Sequence, residues 1–299
     1  MIRLTNNTKI LTQEFEYFAP KTLAGALDLL YRYQDKNTRI LAGGTDLLVK
    51  MKTIGLDADY LISIKEIPEL KFIDTDAGLR IGAAVPLSHI EKIEKVREKY
   101  PALYESIKSM AAIAIRNMAT MPGNICNASP AGDTIPPLIA YEAKLKLVSK
   151  RGERTVLVED FITGVGKTII KRDELLTQVI IPEISKNSGG AFLKKGRVKA
   201  DIAKINLAVC LKREGEICKD CRIVLGSVFI KAVRAKKAEE LLRGQVINND
   251  LIIKTAKKAS EVIKPIDDIR STAEYRTELA RVMTEDALKL AWGRAGGEL

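Results

Sequence analysis

The stretch whose reading decides the fold is Ile115-Arg-Asn-Met-Ala-Thr-Met-Pro-Gly-Asn-Ile-Cys-Asn-Ala-Ser-Pro-Ala-Gly-Asp-Thr-Ile-Pro-Pro137. It holds two glycines, four prolines and three asparagines, yet its only charges are Arg116 and Asp133. A surface linker would be richer in lysine and glutamate. Glycine lets a backbone approach a ligand closely, and Asn, Ser and Thr supply neutral hydrogen-bonding groups. A loop of this kind suits a ligand rich in phosphate and carbonyl oxygens, a nucleotide-type cofactor. A turn-rich structural loop would share the composition.

A second loop upstream, Arg39-Ile-Leu-Ala-Gly-Gly-Thr-Asp-Leu-Leu48, favours the cofactor. Ile40 and Leu41 read as the end of a strand, Gly43-Gly44 as a turn, and Thr45 and Asp46 as a helix cap before a short helix. Free N–H groups at a helix start favour an anion such as a pyrophosphate. The spacing is neither the G-x-G-x-x-G of dinucleotide folds nor the P-loop lysine pattern.

Composition narrows the class. At 299 residues the chain can bury two or three cores, and no apolar run reaches the ~20 residues a membrane span requires. Residues 1–7 lack the apolar segment of a secretion signal, so a cytoplasmic location is expected. The net charge of +11 is spread among acidic residues, as in Lys236-Lys-Ala-Glu-Glu240, and no aromatic ladder interleaves it. Nucleic acid is therefore not an expected partner, whereas acidic partner subunits are compatible with the excess charge. Cys218 and Cys221 have C-x-x-C spacing, but a closed metal site needs two further ligands. Cys126, Cys210 and the sole histidine, His89, are scattered, so neither a metal site nor a catalytic acid–base side chain is expected.

Periodicity predicts an α+β chain. A strand at 14–18 and an amphipathic helix at 23–33 precede the Gly-Gly loop, with strands at 60–64 and 79–83 beyond it. Helices are expected at 86–95 and 101–114, with another short one beginning at 136–141, then strands at 144–149, 155–158 and 175–181, with a turn at Asp160-Phe161. The polar, glycine-rich Ser185-Lys-Asn-Ser-Gly-Gly190 reads as a boundary. After it come strands at 191–195, 203–213 and 221–227, then helices at 233–242, 249–263 and 274–292. This order, strands before helices, is that of an α+β domain with helices on its sheet.

Ala42-Gly-Gly-Thr-Asp46, Arg116-Asn-Met-Ala-Thr120 and Gly123-Asn-Ile-Cys-Asn-Ala-Ser-Pro-Ala-Gly-Asp133 resemble the FAD-binding medium subunit of the xanthine dehydrogenase and carbon monoxide dehydrogenase family of molybdenum hydroxylases. The likeness runs through Glu14-Phe-Glu-Tyr-Phe-Ala-Pro-Lys-Thr22, Asp173-Glu-Leu-Leu176 and Asp267-Asp-Ile-Arg-Ser-Thr-Ala-Glu-Tyr-Arg276. It implies a two-subdomain FAD-binding domain of the PCMH, vanillyl-alcohol-oxidase-like kind over residues 1–184, split near 55–65. A C-terminal α+β domain with a small antiparallel sheet and helices would occupy 189–295.

The resemblance also implies roles. Leu41, Ala42, Gly43, Gly44, Thr45, Asp46 and Leu47 would form the first FAD loop, with Gly43, Gly44 and Thr45 offering amides to the pyrophosphate. Ala119, Thr120, Gly123, Asn124 and Cys126 would form the second, and Asp133 would hold a cofactor hydroxyl. Met110, Ala111 and Ile115 would approach the cofactor, Leu175 and Leu176 would pack on a ring system, and Lys194 (or its neighbour Lys195) would lie near the flavin. Plain core packing is the competing reading for the apolar members.

FAD would be non-covalent, since His89 does not stand where a tether would. A large molybdopterin-binding subunit and a small [2Fe–2S] subunit are implied, as a dimer of heterotrimers, with NAD, a quinone or ferredoxin as acceptor. A cofactor-free scaffold or a stand-alone FAD oxidoreductase are the alternatives. One position departs from the family: Pro122 stands where Gly-Gly-Asn is usual, and proline has no N–H to donate. Weaker FAD binding is the expected result.

Overall fold

The computed structural model describes residue 11 and residues 13–299; residues 1–7, read above for the lack of a secretion signal, lie outside them. The first sheet is parallel: Glu16–Phe18 (β1), Thr38–Leu41 (β2) and Tyr60–Ser63 (β3), in the order β1-β3-β2. Parallel neighbours need crossovers, which Leu23–Arg32 (α1) and Leu47–Thr53 (α2) provide. Thr22 caps α1, its Oγ1 accepting from Gly25 N, and Ala26, Leu27 and Leu30 point into the first core.

The second sheet is antiparallel. Ile73–Asp74 (β4), Leu79–Gly82 (β5), Lys144–Ser149 (β6) and Gly152–Leu157 (β7) belong to it. After the small ribbon of Ile162–Gly164 (β8) and Lys167–Thr168 (β9), Leu175–Ile181 (β10) returns to its middle, giving β4-β5-β10-β6-β7. Six helices fill the gap between β5 and β6: Leu87–Ile90 (α3), Glu94–Lys99 (α4), Pro101–Ser109 (α5), Ile113–Arg116 (α6), Met121–Asn127 (α7) and Ile135–Ala140 (α8). A further turn of helix, Val158–Phe161 (α9), stands where a simple turn was expected at Asp160-Phe161.

Three expectations change here. The stretch 115–134 is not one loop but carries the end of α6 and all of α7, while α8 stands where a short helix was expected from Pro136. The prolines do not break these helices, because Pro122 of α7 and Pro136 of α8 sit in first turns, where amide groups lack an intrahelical acceptor anyway. The helix expected at 86–95 divides into α3 and α4. The one expected to reach Ala114 ends at Ser109, where Met110 turns extended and Ala111 takes φ +44°.

The C-terminal sheet runs β11-β12-β13-β14, antiparallel throughout: Ser188–Lys195 (β11), Ile205–Glu214 (β12), Ile217–Gly226 (β13) and Val233–Arg234 (β14). Lys236–Leu242 (α10), Asn249–Ala259 (α11) and Ala273–Arg294 (α12) follow. Gly189 and Gly190, read as part of a boundary, are strand residues. A Cβ on Gly189 would stand 1.8 Å from Ala291 O, and one on Gly190 2.2 Å from the Tyr141 hydroxyl. Both faces of this sheet are covered. Leu207, Val209, Ile223 and Leu225 pack with α10, α11 and α12, while Phe192, Ala208, Cys210 and Val224 join the core of the second sheet. Two-sided burial explains why Leu207–Leu211 of β12 reads as a continuous apolar run rather than an alternating one.

The Asp267–Arg276 signature pins the start of α12. Asp268 accepts from the Arg270 amide at 2.8 Å and from Arg276 at 2.6 Å, and Arg276 also donates to Ser227 O. Burial alone would raise the Asp268 carboxyl, but these donors outweigh it and hold it down to about 2.

Candidate functional site

The site begins where the two loops touch. β2 delivers Ala42, Gly43 and Gly44, and Gly43 lies against the backbone of Met118 and Ala119, so close that a Cβ would stand 2.3 Å from Met118 O. Gly44 has φ +81°, a left-handed turn conformation that glycine adopts without strain. Asp46 occupies the cap position of α2 but makes no side-chain cap bond, contrary to expectation. In the second loop Thr120 does cap α7, its Oγ1 accepting from Gly123 N at 3.1 Å. Asn124 Oδ1 accepts from the Thr134 hydroxyl at 2.8 Å. Lys50 ties the two loops together by donating to Asn127 Oδ1 at 2.5 Å.

Arg116 fixes the approach to this wall. It is buried, paired with Glu91 at 3.0 Å, and its Nη1 donates to the carbonyls of Met110 and Ala111. Those bonds hold Ala111 in its positive-φ conformation.

A charged anchor closes the far side. Lys194 Nζ donates to Asp133 Oδ2 at 2.7 Å and to Ser109 O at 3.2 Å, and Asn206 Nδ2 donates to Asp133 Oδ1 at 2.7 Å. Lys195 is exposed, so Lys194 is the residue that reaches the site. Burial pushes the Asp133 carboxyl up from its ordinary value; Lys194 and Asn206 oppose the rise.

These parts surround one cleft of about 840 Å³, within the size range of cofactor sites. It is lined by Ala42, Gly43, Gly44, Thr45, Asp46, Leu47, Met110, Ala111, Ile115, Ala119, Thr120, Gly123, Asn124, Cys126, Asp133, Leu175, Leu176 and Lys194. Leu41 is the exception among the sequence-predicted residues. It ends β2 buried in the protein, 7% exposed, and does not line the cleft.

Sequence reasoning missed several members. Arg39, Lys50, Lys171 and Arg172 line the cleft and take part in no ion pair among the described residues. The carboxylates of Glu174 and Asp201, by contrast, are neutralised by Arg154 and Arg197. The surplus is positive, which favours an anionic ligand. Asn206 was missed as well, being one polar residue in an apolar strand whose partner is distant in sequence. A Lys-Asn pair in adjacent strands near a loop aspartate is a signal only once the sheet register is known.

A smaller hollow of about 610 Å³ lies beyond Ala42 and Thr120, near His89, with no glycine in its wall. Cys218 and Cys221 are buried in the C-terminal core, and no group of three or more metal-ligating side chains occurs among the described residues. No helix among them is long and apolar enough to cross a membrane.

The residues fit FAD on structural grounds: a glycine wall without room for a Cβ, unpaired cations for phosphates, and a buried carboxylate for a hydroxyl. Residues 13–184 match the family model of the FAD binding domain in molybdopterin dehydrogenase, and 191–291 that of the CO dehydrogenase flavoprotein C-terminal domain. The chain is 33% identical to the glyceraldehyde dehydrogenase medium chain of Sulfolobus acidocaldarius, over 92% of this chain and 98% of that one. It is 30% identical to the putative xanthine dehydrogenase FAD-binding subunit of Escherichia coli, over 95% and 98%. Among solved structures, carbon monoxide dehydrogenase from Hydrogenophaga pseudoflava superimposes with a TM-score of 0.91 at 31% identity, covering 95% of this chain and 99% of that one. With an FAD-binding domain followed by a C-terminal domain built on an antiparallel sheet, the chain belongs to the family of FAD-binding medium subunits of the molybdenum-containing xanthine and carbon monoxide dehydrogenases, which are oxidoreductases.

Proposed function

We propose that this chain is the electron-transfer subunit of a molybdenum hydroxylase complex, placed between [2Fe–2S] clusters of a small partner subunit and an external acceptor. Substrate oxidation would belong to a large molybdopterin-binding subunit, the assembly being a dimer of heterotrimers in the cytoplasm. NAD, a quinone or ferredoxin would serve as acceptor. The observation that carries the reading is the cleft itself, formed by two glycine-bearing loops and closed by the Lys194–Asp133 pair.

FAD, held non-covalently, supplies the redox chemistry, and the protein supplies binding, orientation and electrostatics. Amides of Gly43, Gly44 and Thr45, with the charge of Lys50, would hold the pyrophosphate. Thr120, Gly123 and Asn124 would complete that cradle. Asp133 would accept from a cofactor hydroxyl, and Leu175 and Leu176 would pack on a ring. No side chain here is assigned a proton to move. We place the FAD-binding domain at residues 1–184, its subdomains meeting near 55–65, and the C-terminal domain at 189–295.

The test is the visible spectrum of the purified chain, with the cofactor identified after acid release. Flavin bands at about 370 and 450 nm and free FAD are expected, with one larger and one smaller subunit retained when the native complex is purified. A colourless chain that FAD titration cannot saturate would overturn the proposal in favour of a scaffold role. Substrate turnover by the chain alone would instead mark a stand-alone oxidoreductase.

A further inference from the structure

We propose that Asn206 is the positioning residue for the Asp133 carboxylate, so that the C-terminal sheet controls how tightly the cofactor is held. This rests on the FAD reading above. Asp133 is 5% exposed, and among the described residues its side chain is held only by Lys194 and Asn206, both from the C-terminal sheet. The carboxylate that faces the cleft is thus oriented from the neighbouring domain.

The register shows how. Lys194 pairs with Asn206 across β11 and β12, and Asn206 pairs with Gly226 across β12 and β13, so the three form one rung. A Cβ on Gly226 would stand 2.1 Å from Asn206 Oδ1, and 3.2 Å from Pro136 Cγ of α8. The glycine therefore leaves the space in which the Asn206 amide lies. The same strand end grips the Asp133 loop directly, since Ser227 N donates to Pro130 O at 2.8 Å.

The two partners of Asp133 do different work. The Lys194 ammonium supplies charge on a flexible stem, while the short Asn206 side chain, 0% exposed, fixes the direction of a second bond. An ionised carboxylate only accepts, so the amide nitrogen of Asn206 must face it. With one donor on each oxygen, the carboxylate plane is set while lone pairs remain for a ligand hydroxyl. Asn206 does not line the cleft. Its effect on the cofactor must pass through Asp133.

The experiment is FAD titration of the full chain by flavin fluorescence, comparing wild type, Asn206→Leu, Asp133→Ala and the double variant, with the melting temperature of each. Asn206→Leu is expected to weaken FAD binding about tenfold, the weight of one hydrogen bond to a charged group. In the Asp133→Ala background the same change should cost less than about twofold, because the two act as one unit. Gly226→Ala, which keeps Asn206 but displaces it, should also weaken binding and guards against a folding failure of Asn206→Leu. Unchanged affinity in Asn206→Leu or Gly226→Ala, or an equal loss in both Asp133 backgrounds, would overturn the inference and leave Asn206 a structural residue. A wild-type chain that takes up no FAD would sink the functional reading itself, so the two failures are distinguishable.

Discussion

Gly43 and Met118 meet backbone to backbone: the space a Cβ of Gly43 would occupy lies 2.3 Å from the Met118 carbonyl oxygen. The two loops that line the cleft are therefore one wall with a fixed spacing. Gly43→Ala must push them apart, since neither side of the contact is a flexible side chain. A loss of about 1–3 kcal/mol in stability is expected, with a loss of FAD affinity of at least about tenfold. Denaturant unfolding and FAD titration read the two effects separately.

Pro122 lies in the first turn of α7, buried, with no positive φ. Its fixed φ suits that position, so the family glycine can be replaced without rebuilding the turn. What is lost is one donor. Pro122→Gly should restore it and tighten FAD binding, a hydrogen bond to a charged acceptor contributing about 1.5–3 kcal/mol, while folding stability falls by about 0.4–1 kcal/mol through the freer unfolded chain. Equal FAD dissociation constants for the two proteins would show that this amide contacts no phosphate.

Lys194→Met leaves the Asp133 carboxylate buried without its counter-charge. Removing one partner of a buried pair costs about 3–5 kcal/mol, and the deficit should depend on pH. The Asp133 carboxyl is already raised by burial and rises further without Lys194. A raised folded-state value means that its contribution to stability is fully present below the unfolded value near 3.9 and is lost as pH rises through the folded value. The variant should therefore unfold most easily at neutral pH and approach wild type under acid conditions. Urea denaturation across that range measures it, and a pH-independent deficit would contradict the pairing.

Cys126 is the one exposed cysteine of the four, and it lines the cleft, but the protein packed around it pushes its thiol up to about 12; Cys210, Cys218 and Cys221 are buried. At alkaline pH, where part of the Cys126 thiol ionises, an aromatic disulfide reagent should titrate about one thiol in the native cofactor-free chain. Bound FAD should slow that reaction by more than about tenfold, because modification requires the open cleft. Cys126→Ser should abolish the fast phase. Reaction at the same rate with FAD bound would place the cofactor elsewhere.

Much of the site was legible because its chemistry is local. Gly43-Gly44 after Ile40-Leu41 is read from adjacent residues, and the structure has strand, turn and helix in that order. The stretch 115–137 read as a loop because its glycines, prolines and asparagines are turn formers, whereas a proline in the first turn of a short helix breaks nothing. Gly189 and Gly190 read as boundary residues for a similar reason. Glycine there serves close packing on Ala291 and Tyr141, which are distant in sequence. Leu41 was assigned to the cofactor with its neighbours, but the alternation of a strand turns it into the core. Asn206 was out of reach, since its meaning comes from a sheet register and from a carboxylate in the other domain.

The sheet buried on both faces also orders events during synthesis. α5 lies against β11, and α8 against β12 and β13, so helices made early wait for strands made later. At about 5–20 residues per second, the apolar surface around Leu103, Ile107 and Ile139 stays uncovered on the ribosome for on the order of ten seconds. Asp133 emerges well before Lys194, and the cleft has no far side until β11 has been translated and docked. A cofactor held in this cleft would then be captured late in the life of the nascent chain, with the arrival of the C-terminal strands rather than with completion of the glycine loops.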